Sequence, residues 1–258
     1  MMTSISRLAA ADHGGVLLFG DPEALASGVV VAFSGRVGGV SEPPYDSLNV
    51  GRLVGDADEN VTANRKRLAE AAGLDPGSFV LARQVHGAEV IEARAGELGA
   101  LGRADALVCR DRGLSLMVLT ADCVPVLLQG NGGVAAVHAG WRGLAAGVIE
   151  AAAGRLGPVR SAWVGPSIRS CCYEVGDDVV TAFARRELPL AGRRRVDPHK
   201  AAVEICRRLG AARIAVVEEC TACDSRFYSH RRDGVTGRQA GLISLSGGSH
   251  GPEEPGRE

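Results

Sequence analysis

At 258 residues and a formal charge of −1, from 29 Lys+Arg against 30 Asp+Glu, the chain has the length of one large domain or two small ones. That balance leaves no whole-molecule field to recruit nucleic acid or an anionic membrane surface, so no nucleic-acid and no membrane partner is expected. Met1 to Phe19 holds no signal-like apolar run, and no stretch reaches the roughly 18 apolar residues of a membrane span; a cytoplasmic protein with reduced cysteines is expected.

In chain order, Val29 to Phe33 reads as an apolar strand, followed by a glycine-rich loop at Gly35, Gly38 and Gly39 and an irregular stretch around Pro43-Pro44. Asp58 is the expected N-cap of a helix carrying Val61, Arg65, Leu68 and Ala72 and stopping at Gly73. Val80 to Val85 is a strand that ends at His86-Gly87, with Val90 to Glu92 as its continuation beyond a turn. Ala104 to Cys109 and Leu114 to Leu119 are further strands.

The centre of the chain is Thr120 to Gly143. Two apolar runs, Val124 to Leu128 and Val134 to Val137, flank Gly130-Asn-Gly-Gly133, the pattern of a tight hairpin. One helix is expected after Gly143, with Leu144, Val148, Ile149, Ala152 and Leu156 on its buried face. Ser161 to Val164 is a strand, and Val175, Val179, Val180 and Phe183 mark a helix. Asp197 as N-cap, Pro198 at the first position and Gly210 as terminator bracket another. Ile214 to Val217 is a strand, and Phe227 to Gly241 reads as a polar, turn-rich segment. Residues 246–258 lack apolar side chains and read as a disordered tail. Strands and helices mix without strict alternation, which favours mixed sheets with helices outside over a doubly wound fold.

Six histidines and seven cysteines supply the candidate chemistry. His13 and His250 lie in terminal segments and His199 in the first turn of a helix, positions of solvated or capping residues. His86 and His138 each follow an apolar strand and precede a small residue or glycine, and Cys123 directly follows the Leu114–Leu119 strand. Two imidazoles and a thiolate suit zinc with an open fourth position, where the metal lowers the pKa of a bound water to about 7. The same set suits a blue-copper centre, or Cys123 as a nucleophile with a histidine base. Spacing leaves these three open. Asp122 is placed for acid/base work or for orienting a ligand, and Arg142 flanks His138. Cys220-Thr-Ala-Cys223 is a single C-x-x-C and a weak metal signal, and the adjacent Cys171-Cys172 reads as packing.

Several motifs then carry a resemblance. Phe33-Ser-Gly-Arg-Val-Gly-Gly-Val-Ser41, Ser47-Leu-Asn49, Gln84-Val-His-Gly87, Ala104-Asp-Ala106, Thr120-Ala-Asp-Cys-Val-Pro-Val126, His138-Ala-Gly-Trp-Arg-Gly143, Gly165-Pro166, Cys172-Tyr-Glu-Val175 and Arg231-Arg-Asp-Gly234 occur in this order. Together they resemble the YfiH/YlmD family, which carries the labels multicopper polyphenol oxidase (laccase domain), purine nucleoside phosphorylase and peptidoglycan editing factor. The resemblance spans about residues 29–245 as a catalytic domain and leaves 1–28 as an N-terminal segment. It implies an α/β (α+β) fold, a single-domain, YfiH-like layered sandwich of mixed β-sheets flanked by helices. It also implies zinc held by His86, Cys123 and His138, with copper as the lesser option. The implied chemistry is phosphorolysis of purine nucleosides (adenosine, inosine, methylthioadenosine) and adenosine deamination, with purine nucleosides and phosphate as partners. Asp122 and Arg142 would be catalytic, and Arg36, Asn49 and Gln84 would line the substrate pocket. The other labels imply a peptidoglycan-precursor editing hydrolase linked to the cell-wall or division machinery, or a single-copper polyphenol oxidase. A true multicopper oxidase needs paired H-x-H motifs; this chain has six histidines and no H-x-H.

Overall fold

The computed structural model describes residues 3–246; the expected tail, apart from Ser246, and His250 lie outside the described residues. Fourteen strands are described among them. In chain order these are β1 (Ser4–Arg7), β2 (Ala10–His13), β3 (Val16–Gly20), β4 (Val29–Ser34), β5 (Phe79–Arg83), β6 (Val90–Ala93) and β7 (Gly99–Arg103). They continue with β8 (Ala106–Cys109), β9 (Ser115–Thr120), β10 (Val124–Gly130), β11 (Gly133–Ala139), β12 (Ser161–Val164), β13 (Arg213–Val216) and β14 (Gln239–Leu245). The helices are α1 (Pro22–Ala26), α2 (Asp58–Ala72), α3 (Trp141–Ala146), α4 (Val148–Leu156), α5 (Asp177–Arg185), α6 (Pro198–Arg208) and α7 (His230–Asp233).

The strands form two seven-stranded mixed sheets, ordered β1-β13-β12-β10-β11-β8-β6 and β2-β3-β4-β14-β9-β5-β7. Side-chain alternation explains how the sheets stack. In β10, Val124, Val126 and Leu128 join a core with Ile149, Phe183 and Ile205 of the helices α4, α5 and α6. Leu127 points the other way, into a core shared with Phe33, Leu116 and Ile243 of the second sheet. Leu18, Met117 and Leu242 on the outer face of that second sheet pack against Leu68 and Ala69 of α2. The result is helix, sheet, sheet, helix, with β10 and β11 apolar on both faces because both are covered. Each fully buried side chain of this kind contributes about 1.5–3 kcal/mol.

Several expectations shift by short distances. The hairpin forms with the register Val124↔Ala139 to Gly130↔Gly133. Asp58 is the first residue of α2 rather than its cap; Ala57 occupies the cap position and Asp56 Oδ1 accepts its N–H. The single helix expected after Gly143 is two, α3 and α4, broken at Gly147, whose φ of +84° no helix interior adopts. Val90 to Ala93 does not continue the preceding strand: β5 and β6 lie in different sheets. The segment read as turn-rich ends in β14, whose residues pair with both β4 and β9. Residues before 29 contribute β1 to one sheet and β2 and β3 to the other.

One topological feature positions the site. The chain passes from the second sheet to the first three times: between β5 and β6, between β7 and β8, and between β9 and β10. The residues in those crossings include His86, Asp105 and Cys123 respectively. All three gather at one end of the sandwich, beside the last turn of β11 that carries His138.

Candidate metal centre and pocket

His86, Cys123 and His138 present ligand atoms that all lie within 4.8 Å of one another. Cys123 Sγ is 3.8 Å from His86 Nε2, and the two imidazoles meet edge to face with centroids 4.8 Å apart. Their backbones are unusual. His86 has φ +60° and the neighbouring Asp122 has φ +90°, left-handed values that non-glycine residues adopt at a cost of order 1–3 kcal/mol.

Asp105 supports this geometry. Its carboxylate is 1 % exposed and accepts the backbone N–H groups of Val85, His86 and Gly87, at 3.1, 2.9 and 2.7 Å, and stands 2.8 Å from His138 Nδ1. Burial opposes its charge, yet the His138 bond and the backbone donors outweigh it and hold the carboxyl below its ordinary range. That bond fixes His138 with Nδ1–H toward Asp105 and leaves Nε2 for a metal, the usual carboxylate support of a ligating imidazole. In the metal-free state burial pushes against both charges of the Cys123–His138 pair. Mutual attraction prevails, placing the thiol at about 6 and the imidazole at about 9. A thiol so inclined to lose its proton is a ready soft ligand.

The fit extends to Gly140. A Cβ there would sit 2.8 Å from His86 Cδ2 and 3.2 Å from Cys123 Sγ, so the glycine of His138-Ala-Gly140 leaves the space in which the ligands close. The donor set is two nitrogens and one sulfur, borderline-soft, with an open side; it fits a single zinc or copper ion with a vacant position.

The open side faces a cavity of ≈ 490 Å³ whose lining includes Gln84, His86, Cys123 and His138. Trp141, Tyr173, Ile168 and Leu119 give it apolar walls, and Arg142, Arg231, Arg238 and His230 a basic rim. A smaller opening beside Cys123 is bounded by Gly140, Trp141, Ile168 and Tyr173. Arg142 lies over the Trp141 ring at 4.4 Å and has no carboxylate within 4 Å among the described residues. Arg231 lies over Tyr173 at 4.9 Å and gives Nη1 to the carbonyls of Cys172 and Glu174. Half-buried Arg238 has its affinity for a proton lowered by burial, and its Nη1 reaches the carbonyls of Thr236 and Gly237.

The other residues singled out in the sequence are distributed differently. Gln84 lines the cavity, but both ends of its amide pair with Leu119, through Nε2 to the carbonyl at 2.7 Å and Oε1 from the N–H at 2.8 Å. Asp122 also lines the cavity with both oxygens engaged, one by Thr221 Oγ1 at 2.6 Å and the other by Arg231 N–H at 2.6 Å. Arg36 and Asn49 fall outside the lining. Arg36 stacks on Tyr228 and pairs with Asp46, while fully buried Asn49 bridges Asp56, Gly51 and the Arg238 backbone. In these contacts both brace the loops behind the cavity. His199 is neither solvated nor a cap: it is 3 % exposed and its Nε2 bonds the Val217 carbonyl at 3.0 Å. Burial, with Arg169 nearby, lowers its pKa to about 4. Asp105, Tyr173, Ile168 and His230 carried no role in the sequence. The Ala104-Asp-Ala106 and Cys172-Tyr-Glu-Val175 motifs offered the signals, for Asp105 and Tyr173.

The fold is a two-sheet α/β sandwich, and a His–Cys–His group that could hold a metal ion stands at the mouth of a basic, aromatic-walled cavity. The family model described as multi-copper polyphenol oxidoreductase laccase matches residues 30–246, and the chain belongs to this family, that of YfiH and YlmD. The chain is 40% identical over 231 residues to "Purine nucleoside phosphorylase YfiH" of Escherichia coli K12, covering 84% of this chain and 94% of that one. A purine nucleoside phosphorylase of Streptomyces coelicolor is 42% identical over 235 residues, covering 85% and 96%. Among solved structures, YlmD from Geobacillus stearothermophilus superposes with a TM-score of 0.82 at 31% identity, over 94% of this chain and 100% of that one. No helix among the described residues is long and apolar enough to cross a membrane.

Proposed function

We propose that this chain is a zinc-dependent purine nucleoside phosphorylase acting on adenosine, inosine and methylthioadenosine, with adenosine deamination as a second reaction of the same site. The observation that carries the reading is the cavity itself. It joins a three-ligand centre to apolar walls sized for a purine and to guanidinium groups suited to phosphate. The names of relatives about 40% identical over most of the chain support the phosphorolysis part of this reading.

In this reading His86, Cys123 and His138 hold the ion, and Asp105 fixes the tautomer and orientation of His138. Zinc bound there supplies Lewis-acid polarisation of the base. Trp141 and Tyr173 flank the purine and exclude water from the glycosidic bond. Arg142 and Arg238 hold phosphate near the anomeric carbon, where one of its oxygens forms the new C–O bond. The glycosidic C–N bond breaks, its electron pair leaves with the purine, and the proton given up by the attacking dihydrogen phosphate restores the neutral base. Asp122, with both oxygens occupied, positions Thr221 and Arg231 at the cavity edge and is the sole carboxylate lining it among the described residues. Arg36 and Asn49 support the rim from behind, and Gln84 ties the His86 crossing to β9.

The test is product analysis on metal-quantified protein. Adenosine with phosphate should give adenine and ribose phosphate, and adenosine without phosphate should give inosine slowly. Full turnover by metal-free protein, or by Cys123→Ala, would sink the proposal. Copper-dependent polyphenol oxidation is the alternative that the family description raises. Of the two groups of metal-type side chains among the described residues, only this one contains histidine, too few for a multicopper cluster.

A further inference from the structure

Four cysteines that the purine chemistry leaves unused converge beside the cavity. Cys171 and Cys172 lie in a turn closed by the N–H groups of Cys172 and Tyr173 on the Arg169 carbonyl, at 2.9 Å each. Cys220 and Cys223 lie in a second turn, closed by the N–H groups of Cys223 and Asp224 on the Cys220 carbonyl, at 3.1 and 3.0 Å. A bridge between Ser167 and Cys220 holds the turns face to face. All four Sγ atoms lie within 4.8 Å of one another, with Cys172–Cys223 at 3.2 Å and Cys171–Cys223 at 3.5 Å. Adjacent cysteines in an extended strand point apart; here the turn brings both to one side, which is why Cys171-Cys172 is not mere packing.

We propose that Cys171, Cys172, Cys220 and Cys223 form a second, structural zinc site, a tetrathiolate that staples the two turns. A tetrahedron with Zn–S arms of about 2.3 Å has edges of about 3.8 Å; the two shortest separations, 3.2 and 3.5 Å, fall a few tenths of an ångström inside that and every pair stays within 4.8 Å, so small side-chain shifts close the site. Binding one Zn²⁺ releases four thiol protons and leaves a net charge of −2. Three arginines anchor around it. Arg231 donates to the Cys172 carbonyl, Arg232 to the Thr221 carbonyl at 2.8 Å, and Arg169 gives its guanidinium to the Glu218 carbonyl. The Arg169 backbone N–H already donates to Cys220 Sγ at 3.3 Å, a bond that favours thiolate. Cys171 and Cys223 are exposed, which gives the ion a way in.

The position gives the staple a purpose. The first turn carries Tyr173 of the cavity wall, and the second carries Thr221, which holds Asp122. A closed four-sulfur site with no open position is structural, in contrast to the three-ligand centre nearby.

The decisive protein is Cys123→Ala, in which the His–Cys–His centre is disabled and the four cysteines are intact. Purified under reducing conditions, it should retain one zinc per chain, and its zinc X-ray absorption should show four sulfurs at about 2.3 Å. Cobalt substituted into it should give the intense thiolate-to-metal charge transfer of sulfur-only ligation. Adding Cys171→Ser and Cys223→Ser should abolish both signals. If that variant fails to fold, the X-ray spectrum of the Cys123→Ala protein still decides. Absence of zinc from Cys123→Ala, mixed nitrogen and sulfur ligation, iron in place of zinc, or a Cys172–Cys223 disulfide in the protein as purified would each overturn the proposal. None of these readouts depends on nucleoside turnover.

Discussion

His86, Cys123 and His138 meet at the floor of a cavity, brought there by two crossings between sheets and one strand end, and only three ligands face inward. Cys171, Cys172, Cys220 and Cys223 meet across two turns, with sulfur on all sides. The first group stands on a buried carboxylate that fixes it through four hydrogen bonds, and the attraction between Cys123 and His138 favours the charged form of each. The second is supported by backbone and arginine. The difference teaches that ligand count and support separate a working site from a staple. His199 is the control for the first: as buried as His138 at 3 %, it lacks the thiolate neighbour and the carboxylate hydrogen bond that His138 has in Cys123 and Asp105, and its pKa falls to about 4 where that of His138 rises to about 9.

The comparison breaks first at Cys123. Cys123→Ala should reduce phosphorolysis at least about 10³-fold, as expected when metal-supplied transition-state stabilisation of several kcal/mol is lost, while circular dichroism stays unchanged. Activity within tenfold of the parent would place the chemistry elsewhere. A step down, Asp105→Asn should weaken metal retention or activity by about 10–100-fold, read by competition with a chelator. Unaltered metal affinity would reduce Asp105 to a loop brace.

Gly140→Ala probes space instead of charge. Its backbone conformation suits alanine, so the cost falls on the ligands that the new methyl meets, and metal affinity should drop by about tenfold or more with little change in folding. Arg238→Gln should raise the KM for phosphate by about tenfold, as for loss of a charge-assisted hydrogen bond, and leave the nucleoside KM within about twofold. Equal rises in both would argue for a general collapse of the rim.

The last prediction reads stability instead of activity and belongs to the control histidine. A group whose pKa is depressed on folding stabilises the native state above its unfolded value, near 6.5, and loses that contribution as pH falls toward about 4. Stability should therefore decline across that window by about 3 kcal/mol on this account. His199→Gln, which keeps a donor for the Val217 carbonyl, should flatten the decline in urea titrations at pH 4, 5 and 7. An equally steep decline would assign it to other groups.

Much of the architecture was legible residue by residue. The hairpin, the Asp197-Pro198 helix start and the Ser161–Val164 strand follow from local pattern, because turn chemistry and capping act over a few positions. The β5-to-β6 passage was misread because a strand pair and a change of sheet look alike when only a short loop separates two apolar runs. β14 was missed because its small and polar residues, Gly241 and Ser244, are buried by two neighbours that are distant in sequence. The ligand types in their motifs marked the centre, but Asp105 and the cavity walls come from separate crossings. Arg36 and Asn49 were placed at the substrate by motif alone, where side-chain direction was unknown.

What the sequence by itself determined is many of the central elements, the family motifs and the chemical identity of the three candidate ligands, all properties of side chains and their near neighbours. Only the tertiary structure decided that three passages between two sheets end at one place, that Asp105 anchors His138 there, and that four cysteines far apart in the chain stand within reach of one ion. Those facts depend on non-local strand pairing, and no local pattern encodes which ends of two sheets will face each other.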